Sequence, residues 1–303
     1  MKINYIDSYI PTGEKYAVCL GSFDGIHKGH KRLMEKTVAK AQENGIKSAV
    51  LTFIYKPEKN KVFPVSENLK RIEATGIDEV FIIEFTEEFR RLSPEKFVKR
   101  YLCDKLSASF VICGFNFRFG FNREGDTDTL RRLGEGNFEL TVEERVTVND
   151  KTVSSSRIKE LLKEGNIAEA NSLLGDCYYI TGKVKKGKQL GRSIEFPTVN
   201  LPLLPFLTEI KKGVYSSVTE FEGNRYNSIS YVGNAPTVGD CGEMLLETYL
   251  LNFTGDLYGK EITVKLVGFI REEKKFSDLE ELKKEIEQNI KTSNKQISEC
   301  EYI

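Results

Sequence analysis

Apolar and polar positions follow two different periods along the first half of the chain. Compact apolar runs, such as YAVCLGSF, KSAVLTF, DEVFIIEF and ASFVICG, predict buried strands. Between the first two runs, KRLMEKTVAKAQENG spaces its apolar residues as a helix does, and Ser93-Pro94 opens a second helical stretch, SPEKFVKRYLCDKL. Continuous apolar strands separated by helices predict an α/β domain with a doubly wound parallel sheet, covered on both faces.

The second half of the chain has short strand patterns separated by turn signals. From Tyr178 on, GVYSSVTEFEGNRYNSISYVG predicts a hairpin around Gly223-Asn224, and KEITVKLVGF alternates apolar and polar residues. The last element, SDLEELKKEIEQNI, predicts a helix with Ser277 and Glu280 in capping-box positions. We therefore expect a small antiparallel β-barrel with a terminal helix.

The change of pattern predicts two domains, residues 1–176 and 177–303, with the boundary near Asp176. A segment that starts at Tyr178 has over a hundred residues, enough for a core of its own. We expect the second domain to fold independently of the first.

Composition and charge narrow the range of partners. The chain has 45 basic and 45 acidic residues, so it lacks the strongly basic balance of a nucleic-acid-binding domain. No apolar run reaches membrane-spanning length, and the first residues lack the apolar core of a signal peptide. The six cysteines include no CxxC pair and predict free thiols. We expect a cytoplasmic protein without nucleic-acid or membrane partners.

Both histidines of the chain, His27 and His30, lie within GSFDGIHKGH, where the first strand turns into the first helix. Parallel sheets bind ligands at the carboxyl ends of their strands, and a helix N-terminus suits a phosphate. Gly25 and Gly29 allow close approach of the backbone to a ligand. Imidazoles at this place could donate hydrogen bonds to a phosphate under attack. The alternatives are a surface pair or two ligands of a metal site.

Three stretches of the first domain resemble a known family. GIHKGH resembles the HxGH signature of nucleotidyltransferases, GFNFRFG closes the fourth predicted strand, and SSSRIKELL opens a helix with Arg157 in its first turn. Together they look like the adenylyltransferase half of bacterial bifunctional riboflavin kinase/FAD synthetases. The resemblance implies catalytic roles for His27, His30 and Arg157. It also implies ATP contacts from Gly21, Phe23, Asp24, Gly29, Asn116, Ser155 and Ser156. Taken alone, the serines and Arg157 also fit an ordinary capped helix.

A second resemblance covers GKQLGRSIEFPTVNL, which is similar to the riboflavin kinase signature GRxxGxPTxN. It implies that Thr198 and Asn200 serve nucleotide and magnesium, and that Gly191 and Arg192 bind ATP. From the residues alone, the Gly- and Lys-rich stretch before Pro197 fits either a phosphate-covering loop or an ordinary solvated turn.

The stretch MLLETYLLNF places one carboxylate among apolar residues. In strand alternation Glu247 shares a face with Leu245 and Tyr249, where an unpaired carboxylate is costly unless it is used. The resemblance implies that Glu247 is the base for the riboflavin 5′-hydroxyl. An edge-strand glutamate that reaches solvent is the alternative. The following REEKKFSDLEEL places Arg271 and Phe276 near the flavin by the same resemblance.

Three segments depart from the family pattern. Lys56 and Pro57 occupy the region of a PHP segment that usually contains a histidine, Glu195 stands where glycine is usual, and Ala235 stands where arginine is common. The first departure argues against a functional role for a third histidine in this segment. The other two bear on the strength of the kinase reaction.

The resemblance implies a bifunctional enzyme of flavin cofactor biosynthesis. ATP phosphorylates riboflavin to FMN in the second domain with a divalent cation, Mg²⁺, and the first domain adenylylates FMN to FAD with release of pyrophosphate. Riboflavin, FMN, FAD and ATP are the implied small-molecule partners. One alternative is a FAD synthetase whose second domain only binds flavin. Another is an adenylyltransferase for a different small phosphate ester.

Overall fold

The computed structural model describes residues 1–185, 196–234 and 244–303. Contacts within the chain divide it into two units, Met1–Ser155 and Ser156–Ile303. No helix in these ranges is both long and apolar enough to cross a membrane.

A six-stranded sheet forms the centre of the first unit, and all its pairs are parallel. Its strands are β1 Lys2–Tyr5, β2 Tyr16–Leu20, β3 Lys47–Ile54, β4 Glu79–Glu84, β5 Ala108–Gly114 and β6 Glu139–Glu143. Their order is β1-β4-β3-β2-β5-β6, so the chain leaves β2 toward one edge and later returns to its other side at β5. Such a reversal is where doubly wound sheets bind ligands.

Separate apolar cores cover the two faces of this sheet, as the continuous apolar strands predict. Along β2, Tyr16, Val18 and Leu20 belong to one core, whereas Ala17 and Cys19 belong to the other. The α-helices of this unit are α1 Lys28–Glu43, α2 Val65–Glu73, α3 Glu87–Arg90, α4 Pro94–Phe97 and α5 Thr127–Gly134. A π-helix spans Val98–Lys105 and a 3₁₀ turn spans Phe121–Arg123. Strands β7 Thr147–Val148 and β8 Lys151–Thr152 form a small separate hairpin. The predicted doubly wound α/β fold is confirmed.

The second unit contains an antiparallel sheet of six strands in the order β10-β13-β12-β11-β14-β9. The strands are β9 Tyr178–Lys183, β10 Thr198–Pro202, β11 Gly213–Phe221, β12 Asn224–Asn234, β13 Met244–Leu250 and β14 Glu261–Arg271. A bridge between Lys185 and Asn200 joins the two edges of the sheet. The sheet therefore curls into the predicted small barrel, and α8 Leu279–Ser298 packs on its outer face.

Two local predictions in this unit are displaced by one residue. The hairpin turns at Glu222-Gly223 rather than Gly223-Asn224, because both turn residues have positive φ, 47° and 77°, as a type I′ turn requires. Helix α8 is capped by Asp278, whose Oδ1 accepts from the Glu281 amide at 2.8 Å, and not by Ser277 and Glu280. Ser277 instead donates to the Glu281 carboxylate. The N-cap therefore lies one residue later than predicted, and the Glu281 carboxylate accepts from Ser277 and not from the N-cap amide.

A continuous chain of hydroxyl groups lies on the inner face of the barrel. It runs through Thr219, Ser228, Ser217, Ser230 and Thr248, with oxygen–oxygen distances of 2.8–2.9 Å. All five residues are fully buried. The chain links β11, β12 and β13 and satisfies hydroxyls that would otherwise be costly to bury.

Helices α6 Ser155–Glu164 and α7 Ile167–Leu174 precede the predicted boundary near Asp176, and α7 packs on the barrel strands. Asn171, almost fully buried, donates to the Leu266 carbonyl at 2.9 Å and accepts from the Tyr178 amide at 2.7 Å. The contact division accordingly falls at Ser155, and the boundary near Asp176 remains a prediction.

A fragment of residues 156–303 is therefore expected to be more stable than one of residues 178–303. The shorter fragment loses both Asn171 hydrogen bonds, at about 1–3 kcal/mol for each buried group left unpaired, and exposes the apolar face that α7 covers. Denaturant unfolding followed by circular dichroism measures the difference. Equal midpoints would show that α7 contributes nothing to the second unit.

Two candidate active sites

The two histidines lie where strand β2 turns into helix α1, at the reversal point of the parallel sheet. Helix α1 begins at Lys28, so His27 is its N-cap residue and His30 lies in its first turn. The carboxyl ends of β2 and β5 are neighbours there. The predicted placement of both imidazoles at one strand-to-helix turn is confirmed.

The imidazole rings of His27 and His30 are stacked, with centroids 3.6 Å apart and planes 18° from parallel. The His27 Nδ1 atom accepts a hydrogen bond from the His30 amide at 3.2 Å. An accepting Nδ1 has no proton, so the proton of neutral His27 is on Nε2. His27 therefore both caps α1 and keeps an N–H donor on the opposite side of its ring.

Both imidazoles are neutral near pH 7 in this environment. Burial lowers the pKa of His27 to about 4 and holds the pKa of His30 well below its ordinary value, with a further lowering from the neighbouring His27. The buried Nδ1 atom of His30 has no hydrogen-bond partner within the described ranges. An anionic ligand beside these rings would favour their protonation and would offer this nitrogen a partner.

The turn before the helix is held in an unusual backbone conformation. Phe23 and Ile26 have positive φ, 44° and 37°, and both side chains are buried. A positive φ in a β-branched residue is a strained conformation of the kind that concentrates at functional sites. Gly29 has no side chain where a Cβ would lie 3.2 Å from the His27 ring. The glycine therefore leaves room for the imidazole itself.

Several predicted ATP-binding residues contribute to the structure of this turn. Phe23 packs edge-on against the His30 ring, with centroids 5.1 Å apart. The buried Asp24 carboxylate accepts a hydrogen bond from the Val62 amide at 3.0 Å. The backbone carbonyl of Asp24 accepts one from the Ser155 hydroxyl at 2.8 Å. The Gly21 amide donates to the β3 carbonyl of Leu51. Their contacts with ATP remain predictions.

The other predicted residues of this site lie on later parts of the chain. Asn116 is exposed just beyond β5, at the same sheet edge as the histidines. Ser156 and Arg157 fall in the second unit. Arg157 forms ion pairs with Glu160 at 3.3 Å and Glu169 at 3.5 Å, which raise its pKa. These carboxylates compensate its charge, and its catalytic role remains a prediction.

Sequence reasoning missed Glu58 in the first unit. It lies in the loop after β3, beside the departure at Lys56 and Pro57, and its Oε2 atom is buried without a hydrogen-bond partner among the described residues. Burial raises the pKa of the Glu58 carboxyl group, because it disfavours the charged form. The positive charge of Lys61 lowers this pKa and the negative charge of Asp24 raises it, but the overall shift is upward. The only available signal was a carboxylate in the segment where the family usually has histidine.

The second site is a cavity of about 590 Å³ between the outer face of the barrel and helix α8, here termed the α8 cavity. Most of its walls are apolar or aromatic, with a few polar groups, as is usual for small-molecule sites. The lining residues are Phe196, Thr198, Val214, Ile229, Tyr231, Glu247, Tyr249, Arg271, Glu273, Lys274, Phe276, Leu279, Leu282, Ile286 and Asn289.

One transverse row of residues crosses five strands on the cavity side of the sheet. Its members, in strand order, are Asn200, Glu247, Tyr231, Val214 and Arg271, each the direct cross-strand partner of the next. Directly opposed residues in antiparallel strands share a face. The row therefore brings together three residues that the sequence singled out separately.

Glu247 lies half-buried on this face, between Asn200 and Tyr231 in register. Burial raises the pKa of its carboxyl group. No ion pair or hydrogen bond reaches this carboxylate from any residue in the described ranges. The predicted sharing of one face by Leu245, Glu247 and Tyr249 is confirmed, since the alternate residues Leu246, Thr248 and Leu250 are buried on the opposite face.

The two predicted flavin-binding residues contact each other at the cavity wall. The Arg271 guanidinium lies 5.5 Å from the centroid of the Phe276 ring. Its Nε atom pairs with Glu285 at 3.0 Å and donates to Asn289 at 3.3 Å, so α8 fixes its position. Both residues line the cavity, and their flavin contacts remain predictions.

Thr198 and Asn200 alternate along β10 and therefore lie on the same face as Glu247. A hydroxyl, an amide and a carboxylate are the oxygen donors that Mg²⁺ prefers, and Mg²⁺ usually takes few protein ligands beside phosphate oxygens. These residues fit the implied ion. The described ranges hold no cluster of three His, Cys, Asp or Glu side chains suited to a metal. Gly191, Arg192, Glu195 and Ala235 lie outside the described residues.

Tyr231 and Asn289 line the α8 cavity but were not identified from the sequence, whereas strand alternation had already placed Tyr249 on the face of Glu247. Tyr231 and Asn289 depend on strand register and on the docking of α8, which residue patterns do not supply.

Comparisons with known proteins match two family models, one to each half of the chain. A family model described as FAD synthetase matches residues 10–157, and one described as riboflavin kinase matches residues 174–297. Among relatives, a bifunctional riboflavin kinase/FMN adenylyltransferase of Listeria monocytogenes is 31% identical over 95% of this chain and 96% of its own length. The Bacillus subtilis protein of the same name is 32% identical over 91% and 90% of the two chains.

One solved structure is similar over nearly the whole length of the chain. A crystal structure described as a macrolide-efflux protein from Streptococcus pneumoniae aligns with a TM-score of 0.86, 25% sequence identity, and coverage of 97% of this chain and 98% of that chain.

Proposed function

This chain belongs to the bifunctional riboflavin kinase/FMN adenylyltransferase family, and from that membership we propose that it makes FAD from riboflavin in two steps. The second unit phosphorylates riboflavin to FMN with ATP. The first unit transfers an adenylyl group from a second ATP to FMN and releases pyrophosphate. The observation that carries the kinase assignment is that Glu247 and Arg271 line one largely apolar cavity, with Asn200 the direct cross-strand partner of Glu247.

In the kinase step, Glu247 is the proposed general base. Its carboxylate has no competing partner in the described ranges, and an apolar surrounding increases its basicity. It takes the proton of the riboflavin 5′-hydroxyl, whose oxygen attacks the γ-phosphorus of ATP, and ADP leaves. Thr198 and Asn200 would hold Mg²⁺, which supplies charge neutralisation at the phosphates.

In the adenylyl transfer, a phosphate oxygen of FMN attacks the α-phosphorus of ATP, and the bond to pyrophosphate breaks. His27 donates from Nε2, since its Nδ1 already accepts from the His30 amide. The N-terminus of α1 adds its dipole to the same place. These donors stabilise the charge that grows on the phosphate oxygens during attack.

Free thiols support the proposed cytoplasmic location. Cys19, Cys103, Cys113, Cys177 and Cys300, the cysteines in the described ranges, form no disulfide. Thiols are kept in this state by a reducing compartment.

An assay that separates FMN from FAD tests the proposal. With riboflavin, ATP and Mg²⁺ we expect both FMN and FAD to form. Conversion of supplied FMN alone would show a FAD synthetase whose second unit only binds flavin. Conversion of neither flavin would leave an adenylyltransferase of another phosphate ester.

A further inference from the structure

Tyr231 occupies the middle of the transverse row, between Glu247 on β13 and Val214 on β11. It is half-buried and lines the α8 cavity. The sequence motifs assign no role to it. Its position beside the proposed base nevertheless places it at the centre of the cavity floor.

The Tyr231 ring lies along its own strand over Gly233. A Cβ atom at position 233 would come within 2.2 Å of the Tyr231 hydroxyl oxygen and 2.3 Å of the ring. Only a residue without a side chain leaves this space free. Gly233 thus allows the phenol to lie on the sheet and directs its hydroxyl toward the edge of the cavity.

The Tyr231 hydroxyl donates to the Glu273 carboxylate at 2.5 Å. Glu273 belongs to residues 272–278, here termed the connecting segment, which joins β14 to α8. Lys274 and Phe276 of this segment line the same cavity. One charge-assisted hydrogen bond therefore joins the floor of the cavity to its wall.

The connecting segment has two further ion-pair anchors, but neither involves the cavity floor. Glu272 pairs with Lys211 at 2.9 Å, and Lys274 pairs with Glu281 and Glu285, each at 3.2 Å. These contacts attach the segment to Lys211, two residues before β11, and to α8. The Tyr231–Glu273 bond alone, of the contacts described, attaches it to β12 beside Glu247.

We propose that Tyr231 is a positioning residue for the kinase reaction, which holds the connecting segment at the edge of the α8 cavity through Glu273. This inference rests on the proposed kinase function of the second unit. The bond fixes Phe276 and Lys274 where they contact riboflavin, and it keeps the phenol proton directed to Glu273. Tyr231 thereby determines how tightly the flavin is held, and Glu247 performs the proton transfer.

Tyr231→Phe in the full chain tests this inference, because it keeps the ring and removes only the hydroxyl. We expect the KM for riboflavin to rise about three- to tenfold with kcat within twofold, as for a lost hydrogen bond to a charged group. Glu273→Ala should have the same effect. Glu273→Gln keeps an oxygen that accepts the Tyr231 hydroxyl, so this variant should have a KM for riboflavin close to that of the wild type. Tyr226→Phe, at the far end of β12, is the matched control and should change neither constant.

The double variant Tyr231→Phe/Glu273→Ala should be no worse than either single variant, because both remove the same bond. Fully additive effects on KM, or a fall in kcat at unchanged KM, would overturn the inference. Riboflavin binding followed by flavin fluorescence separates the two hypotheses. A wild-type chain that binds riboflavin without phosphorylating it contradicts the kinase proposal, whereas equal binding by wild type and Tyr231→Phe contradicts the positioning role.

Discussion

Replacing His27 or His30 with alanine is expected to slow FAD formation from FMN by about 10²–10³-fold, the usual effect of removing one preorganised donor to a charged transition state. FMN formation from riboflavin should continue at the wild-type rate, because that reaction is assigned to the other unit. Steady-state assays of each half reaction, with FMN or riboflavin supplied, measure the two effects separately. An equal loss of both activities would indicate misfolding and contradict the assignment.

His27 needs a second variant, since it also caps helix α1 through Nδ1. Asparagine is a strong N-cap residue, so His27→Asn keeps the cap and removes the imidazole. We expect His27→Asn to lose adenylyl transfer as His27→Ala does, while it keeps more of the wild-type melting temperature. Recovery of activity in His27→Asn would show that His27 acts only as a cap.

Replacing Glu247 with glutamine is expected to reduce kinase turnover by about 10²–10⁴-fold, because the change keeps the shape and removes the proton acceptor. Adenylyl transfer to supplied FMN should persist. Glu261→Gln, at the exposed start of β14, is the control with the same chemical change outside the cavity. Kinase turnover within a few-fold of wild type would exclude Glu247 as the base.

The raised pKa of Glu247 fixes the sign of two pH effects. The reaction needs the carboxylate, so wild-type kinase turnover should fall as the pH drops through a pKa above the ordinary glutamate value. The stability of the folded state depends on pH with the opposite sign. A carboxyl group whose pKa is raised stabilises the folded state when it is protonated, and this contribution is lost as the pH rises. Glu247→Gln, which is always neutral, should therefore melt higher than wild type near pH 7 and converge with it in acid.

The parallel sheet was largely predictable, because strands buried on both faces must be continuously apolar. The runs YAVCLGSF, KSAVLTF, DEVFIIEF and ASFVICG correspond to β2, β3, β4 and β5, which end at Leu20, Ile54, Glu84 and Gly114. Strand β1, by contrast, is mostly exposed and pairs only with β4, so its residues KINY show no apolar run. An edge strand of this kind is defined by its neighbour and not by its own pattern.

The second site was predictable in its residues and not in its arrangement. Glu247, Asn200 and Arg271 were identified from separate motifs, whereas their alignment depends on the register of five strands. Register is set by turns and packing across the whole sheet, and a one-residue shift would have moved Glu247 to the inner face. Asp278 shows the same limit locally, since Ser277 beside it is an equally good cap by composition.

The hydroxyl chain inside the barrel constrains how this protein can change over evolutionary time. Ser217 is its central member, bonded to both Ser228 and Ser230, whereas Thr219 and Thr248 end the chain with one bonded neighbour each. An apolar replacement at either end breaks one link, but one at Ser217 breaks two and leaves two separated pairs. Drift from polar to apolar is therefore easiest from the ends inward, and Ser217 is expected to be the last of the five hydroxyl groups to be lost.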